Sequence, residues 1–339
     1  MVCHSGGRAC QGEAMQPRRV SSVVRLALAV TSLSVVAVLV EPSLAGAAPS
    51  TPKYYVSLGD SYSVGYQPAP FNSATSGYTG YVASKLKMTL VNFGCGGATT
   101  DSILTFNGVC GVDAYGPPAA TGAGTVPAGD TQEQAAAAFI SAHQSQIGLV
   151  TVSIGGNDVT PCIAAAPGHP VNGQTSAVPC VIAGVNTIKT NVQTLVSDLH
   201  TALGSSTAPI VGLTYPDVLL GLWVNNNGTP TYPTSAADQT LASESILAFQ
   251  AFINPALDKA YTSVAHGKFV DVTKATKGYT PITKLAKAPK TLTWVPKGTK
   301  IPKGVVYVCK YTWYCSLGNI HANTLGYTEI GKLIKKAVK

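Results

Sequence analysis

The chain has 339 residues, a formal net charge of +8 and 45% hydrophobic residues. Beyond residue 47 its basic residues are 19 lysines with no arginine, set against 13 acidic residues. Missing arginine argues against a nucleic-acid partner, because phosphates and guanines are ordinarily gripped by bidentate guanidinium groups.

The first 47 residues read as a secretory signal peptide. Arg18, Arg19 and Arg25 form a positive start, Leu26 to Val40 is an apolar run, and Ala45-Gly46-Ala47 supplies small residues for cleavage. A membrane anchor fits less well, since a span needs ~20 apolar residues and Glu41-Pro42 ends this run early. Translation starting at Met15 would give the signal ordinary length and remove Cys3 and Cys10. Residues 48–339 are then expected to form one domain, released from the cell, with enough chain for one large core.

In chain order, short apolar runs predict buried parallel strands at Tyr54–Leu58, Thr89–Phe93, Leu149–Ile154, Pro209–Leu213 and Lys268–Val272. Helical patterns lie between and after them: Gln132–Ile147, Val181–Leu203, Gln239–Val264 and Thr324–Val338. The third carries Leu241, Ile246, Leu247, Phe249, Phe252, Ile253 and Leu257 at core-facing steps. Alternating strands and helices imply a parallel sheet covered by helices on both faces. Phe106–Asp130, Thr160–Pro179 and Lys274–Tyr314 read as long irregular stretches rich in Gly, Pro, Ala and Thr.

Six cysteines remain after the signal segment, an even count that reads as disulfides in an exported chain. Sequential pairing is the simplest of the 15 connectivities: Cys95–Cys110, Cys162–Cys180 and Cys309–Cys315. No CxxC motif or ligand-spaced histidine favours a metal site.

Ligands of open parallel sheets sit beyond the carboxyl ends of the strands, and four short blocks fall there. Gly59-Asp60-Ser61-Tyr62-Ser63 follows the first strand, Asn92 through Thr100 spans the end of the second, and Gly155-Gly156-Asn157-Asp158 follows the third. His321 precedes the last helix, with Gly326-Tyr327 behind it. A serine hydroxyl needs a base to become a useful nucleophile, and histidine titrates near neutrality. Asp60 reads as a structural residue of its turn and Asp158 as a cap. Tyr62 and Tyr66 read as packing residues. His143, His169, His200 and His266 have no partner motif.

In these four blocks the chain resembles the SGNH/GDSL hydrolase family, in particular its secreted bacterial lipases and esterases, from Tyr54 to about Leu333. The resemblance implies a three-layer α/β/α sandwich with a parallel, flavodoxin-like five-stranded sheet. It implies no cofactor, and ester hydrolysis through an acyl-serine intermediate. Ser61 would be the nucleophile and His321 its base. The Ser61 and Gly97 backbone N–H groups and the Asn157 side-chain amide would form the oxyanion hole. The family usually has an aspartate three residues before the histidine; here that position is Gly318. The expectation is a Ser–His dyad whose imidazole is oriented by the Gly318 main-chain carbonyl. A carboxylate from elsewhere, Asp217 or Asp271, is the alternative, and a weakened enzyme the third.

The substrate expected is an ester or lipid. Phospholipase A, a carbohydrate deacetylase, or a non-catalytic secreted binding protein on the same scaffold are rival readings, and the chain reads as a monomer. The segment Lys274–Lys310 holds nine lysines and no acidic residue. It is either a solvated loop stapled by Cys309–Cys315 or a surface that meets anionic lipid or cell-wall polymer.

Overall fold

A computed structural model describes residues 53–71, 77–106, 126–127, 129–164, 177–226 and 228–339. The proposed signal segment, Cys110 and His169 lie outside the described residues. In chain order the first elements are β1 (Tyr54–Gly59), α1 (Tyr78–Leu86), β2 (Thr89–Asn92), α2 (Ser102–Thr105), α3 (Gln132–Ala142), β3 (Ile147–Ser153), α4 (Gly156–Ala164), α5 (Ala177–Leu203) and β4 (Ile210–Leu213). A 3-10 turn over Val218–Trp223 and a small ladder of β5 (Asn225–Asn226) and β6 (Thr229–Pro230) follow. Next come α6 (Ala236–Leu247), a π-helical turn over Ala248–Ile253, α7 (Asn254–Tyr261), β7 (Gly267–Val270) and α8 (Val272–Ala275). The chain closes with β8 (Leu285–Lys287), β9 (Lys300–Pro302), α9 (Lys303–Tyr311), α10 (Tyr314–Leu317) and α11 (Thr324–Ala337).

The five strands expected from the sequence form one all-parallel sheet in the order β2-β1-β3-β4-β7. This is the flavodoxin-like order, and it reverses direction between β1 and β3, opening a crevice at their carboxyl ends. Both faces are covered. Val56 and Leu58 of β1 share one core with Ile188, Val192, Leu195 and Leu199 of α5, all fully buried. Tyr55, Leu149 and Val211 share the other with Ile330 and Ile334 of α11. Burial on both faces explains why the strands read as near-continuous apolar runs.

Three expectations need revision. The predicted helix Gln239–Val264 is three pieces, because Pro255 at the start of α7 lacks an N–H and its ring displaces the carbonyl four residues earlier. The helix widens to a π turn, and Leu247 and Phe252 emerge 61% and 42% exposed rather than in the core. Lys274–Tyr314 is not one irregular loop. It carries the β8–β9 hairpin and α9, and its Leu292, Val295, Ile301, Val305 and Val308 pack on Leu220 and Val224 in a separate small core. The elements are too short for periodicity to have singled them out. Part of Thr160–Pro179, finally, is helical at both ends, in α4 and α5.

Disulfides join Cys162 to Cys180 and Cys309 to Cys315. The first ties α4 to α5 and the second ties α9 to α10. For Cys95–Cys110, one partner lies outside the described residues. Among the described residues no helix is long and apolar enough to cross a membrane.

Gly326 shows how tightly α11 is seated. A Cβ there would stand 2.1 Å from the Tyr311 carbonyl oxygen at the end of α9. Gly326→Ala gains about 1 kcal/mol of helix propensity but costs about 1–3 kcal/mol in overpacking. Net destabilisation is expected, read as a lower urea midpoint with an unchanged slope.

Candidate active site

The turn after β1 is built by closely fitted backbone. Gly59 adopts φ 130°, and a Cβ on it would lie 2.0 Å from the Ser153 carbonyl oxygen of β3, so only glycine lets the two strand ends pass. Asp60 N–H donates to that same carbonyl at 2.9 Å. The Gln132 side chain at the start of α3 clasps Gly59, its Oε1 accepting from the Gly59 N–H and its Nε2 donating to the Gly59 carbonyl. Residues 61–65 form successive tight turns, the last with Gly65 at φ 72°.

His321 arrives from the other end of the chain. Its Nε2 lies 2.7 Å from Ser61 Oγ, and both residues are buried. Its Nδ1 lies 2.8 Å from the side-chain oxygen of Asn319, and the same oxygen accepts the His321 backbone N–H at 3.1 Å. The backbone contact decides the chemistry. An N–H can meet only an acceptor, so the amide of Asn319 presents oxygen, and Nδ1 facing that oxygen must carry the proton. Nε2 is then the bare nitrogen, placed to accept the Ser61 hydroxyl proton.

The orienting group is therefore Asn319 and not the Gly318 carbonyl. Gly318 instead ends α10 in the left-handed conformation (φ 63°), its N–H on the Tyr314 carbonyl at 2.7 Å, and turns the chain so that the next side chain folds back over His321. Neither alternative carboxylate reaches the ring. Asp217 accepts from Ser245 Oγ, and Asp271 accepts from Asn254, Tyr279 and the Lys274 N–H. Asn319 was missed, although a short polar side chain bonding a backbone N–H two residues on is a recognisable local habit of asparagine.

Burial drives the imidazole strongly towards its neutral form, with a pKa lowered from 6.5 to about 3. Among the described residues no carboxylate is hydrogen-bonded to the ring, whose Nδ1 partner, Asn319, is neutral. Tyr62 stacks on the ring at 5.8 Å and Tyr66 meets it edge-on at 4.4 Å. Tyr62 also donates to the Ile320 carbonyl at 2.8 Å, so these tyrosines clamp the histidine loop rather than serving only as packing.

The remaining blocks are tied in by neutral or charge-to-dipole hydrogen bonds. Cys95 N–H donates to the Gly59 carbonyl at 2.8 Å and Asn92 Nδ2 to the Ser63 carbonyl at 2.8 Å. Asn157 Nδ2 donates to the Ala98 carbonyl at 2.8 Å, next to Gly97, whose φ of 79° turns its backbone. Asp158 lies in the first turn of α4, and instead of capping a helix its carboxylate accepts from the N–H and hydroxyl of Thr100, linking the second and third blocks. Asp60 holds its own turn by accepting from Tyr62 N–H, and its other oxygen accepts from the Tyr215 hydroxyl at 2.5 Å. Burial raises its carboxyl to about 7.

Ser61 and Asn157 line a cavity of about 310 Å³ whose other walls are largely apolar, among them Val159, Leu219, Phe249 and Ile253, with Thr160, Glu244 and Ser245 as polar exceptions. The four segments thus meet at the switch point of the sheet, with Ser61, held by a neutral histidine, on a largely apolar pocket in a three-layer α/β fold. That combination defines an SGNH-type hydrolase site. The chain belongs to the GDSL-like lipase/acylhydrolase family, whose model matches residues 57–328 and so takes in all four blocks. Among solved structures it is similar to phospholipase A1 from Streptomyces albidoflavus, at 20% identity over 77% of this chain and 99% of that one, with a TM-score of 0.38. It is also similar to an acetyl xylan esterase from the rumen bacterium Butyrivibrio proteoclasticus, at 15% identity over 66% and 56% of the two chains, with a TM-score of 0.35. No curated protein matches the chain.

Asn319→Asp places a carboxylate against Nδ1, favours the imidazolium and raises the histidine pKa. The acid limb of its kcat/KM profile is expected at higher pH than in the wild type, whose neutral histidine persists far below pH 6.5. Asn319→Ala leaves the ring unheld and lowers kcat on the order of 10²-fold. pH–rate profiles on a soluble nitrophenyl ester check both.

Proposed function

We propose that the protein is a secreted serine carboxylic ester hydrolase that cleaves esters of medium or longer acyl chains. The observation that carries this reading is the 2.7 Å contact between Ser61 Oγ and the unprotonated Nε2 of His321 at the wall of an apolar cavity. As the hydroxyl attacks the ester carbonyl, Nε2 takes its proton and later returns it to the leaving alcohol. An acyl-serine forms, and water, activated by the same nitrogen, releases the acid.

The tetrahedral oxyanion needs donors already in place. The Ser61 and Gly97 N–H groups and Asn157 Nδ2 take that part in this reading. Asn157 is suited to it because its amide carries two hydrogens and the Ala98 carbonyl occupies only one. Losing that donor typically costs ~2.7–4 kcal/mol of transition-state stabilisation.

The cavity separates the rival substrates. A sugar acetate offers many hydroxyls for which this largely apolar wall has few partners, whereas an alkyl chain gains about fourfold in binding for each methylene it buries. The apolar walls therefore favour lipase, esterase or phospholipase A action over deacetylation of carbohydrate. Export is supported by the two disulfides and by the charged, apolar and small-residue pattern of the first 47 residues.

A fluorophosphonate probe should label the wild type and leave Ser61→Ala unlabelled. Asn157→Ala should lower kcat by about 10²–10³-fold. Across nitrophenyl acetate, butanoate, octanoate and palmitate, kcat/KM should peak beyond butanoate. Leu219→Trp, which fills the cavity, should move the peak to shorter chains. A preference for acetate in the wild type would sink the acyl-chain assignment.

A further inference from the structure

We infer that the lobe formed by residues 274–310 is a docking surface for an anionic lipid bilayer. All nine of its lysines are exposed: Lys274, Lys277, Lys284, Lys287, Lys290, Lys297, Lys300, Lys303 and Lys310. Among the described residues the one ion pair joins Lys332 to Glu329, so no carboxylate neutralises any of these nine.

The hairpin arranges part of this charge deliberately. In β8 and β9, Lys287 stands directly opposite Lys300. The backbone N–H of Lys303 donates to the Lys284 carbonyl at 2.8 Å, so the next pair is adjacent too. Like charges placed opposite one another weaken a hairpin, so folding stability gives no reason for the pairing and an external anion does. Alternate residues of a strand share a face. Ile301 is fully buried and faces the lobe's own core, which puts Lys287 and Lys300 on the outward face with Leu285, itself 54% exposed. An apolar side chain set beside a pair of lysines suits a surface with phosphate outside and hydrocarbon beneath. A polyanionic wall polymer offers it nothing to enter.

The lobe is also joined to the cavity. Its core includes Leu220 of the 3-10 turn and packs against Ile246 of α6. The residues beside these, Leu219 and Leu247, line the pocket, and Leu247, Phe252 and Ile182 stand exposed at it. The only carboxylates on those two elements and the residue before them are Asp217, which is buried, and Asp238 and Glu244 of α6. Lysines on the bilayer would thus work beside an apolar opening to which a lipid ester must come. The link to turnover rests on the ester-hydrolase reading; binding does not, and it can be measured without catalysis.

The test uses full-length mature protein carrying Ser61→Ala, so that lipid is not consumed. Co-sedimentation is measured with vesicles of phosphatidylcholine alone and of phosphatidylcholine with phosphatidylglycerol. Binding should rise with the anionic fraction and fall with added salt. Replacing Lys284, Lys287, Lys300 and Lys303 by glutamine should weaken it about fivefold for each lysine removed. The same change at Lys85, Lys189, Lys259 and Lys336, exposed lysines outside the lobe, should leave most of it intact. In the Ser61 background, the lobe variant should retain wild-type turnover of nitrophenyl butanoate. Equal loss in both quadruple variants would reduce the effect to net charge and overturn the proposal. So would indifference to phosphatidylglycerol, or binding to lipoteichoic acid with none to vesicles.

Discussion

A single amide oxygen, that of Asn319, accepts both the backbone N–H and the ring Nδ1–H of His321, and the chemistry of the site follows from it. The double contact sets the ring's orientation and its tautomer together. With the proton held on Nδ1, Nε2 is free to accept from Ser61. A carboxylate in this place would also stabilise the charged imidazolium; a neutral amide does not. The consequence is a base that stays unprotonated in a buried setting, where desolvation penalises its charged form.

Among the described residues, the rest of the site is held without ion pairs. Four segments are joined by Gln132 on Gly59, Asn92 on Ser63, Asn157 on Ala98, Asp158 on Thr100 and Tyr62 on Ile320. Hydrogen bonds to neutral partners are directional, so they fix register between segments far apart in the chain. Asp60 and Asp158 are the charged members, and both are raised by burial despite their donors. They sit against hydroxyl and N–H groups, which restrain position while adding no opposing charge.

The cavity depends on irregular backbone. Leu219 comes from a 3-10 turn and Phe249 and Ile253 from a π turn, neither of which presents side chains at regular helical steps. The π turn traces to Pro255, so one imino acid at the start of α7 shapes the wall against which an acyl chain would lie. The lysine lobe supports the opposite side of the 3-10 turn, so one short element carries the pocket on one side and the basic surface's core on the other.

The five strands of the sheet, the helices before β3, before β4 and at the end of the chain, and the four site segments were legible in the sequence, because each rests on local composition; the two observed disulfides agree with simple sequential pairing. Buried parallel strands read as apolar runs, and the glycine that ends such a run, two residues before the serine, announces its turn. The orienter of His321 was misplaced by one residue: the spacing of the resembled family pointed to the backbone at 318, while the folded chain turned there and brought the side chain of 319 to the ring. Gln132, 73 residues from Gly59, carried no signal, since nothing near it in the chain depends on its partner. By itself the sequence determined what each segment could be, through propensity and burial. Only the tertiary structure decided which polar atoms meet, because that depends on how separately formed segments pack across the sheet.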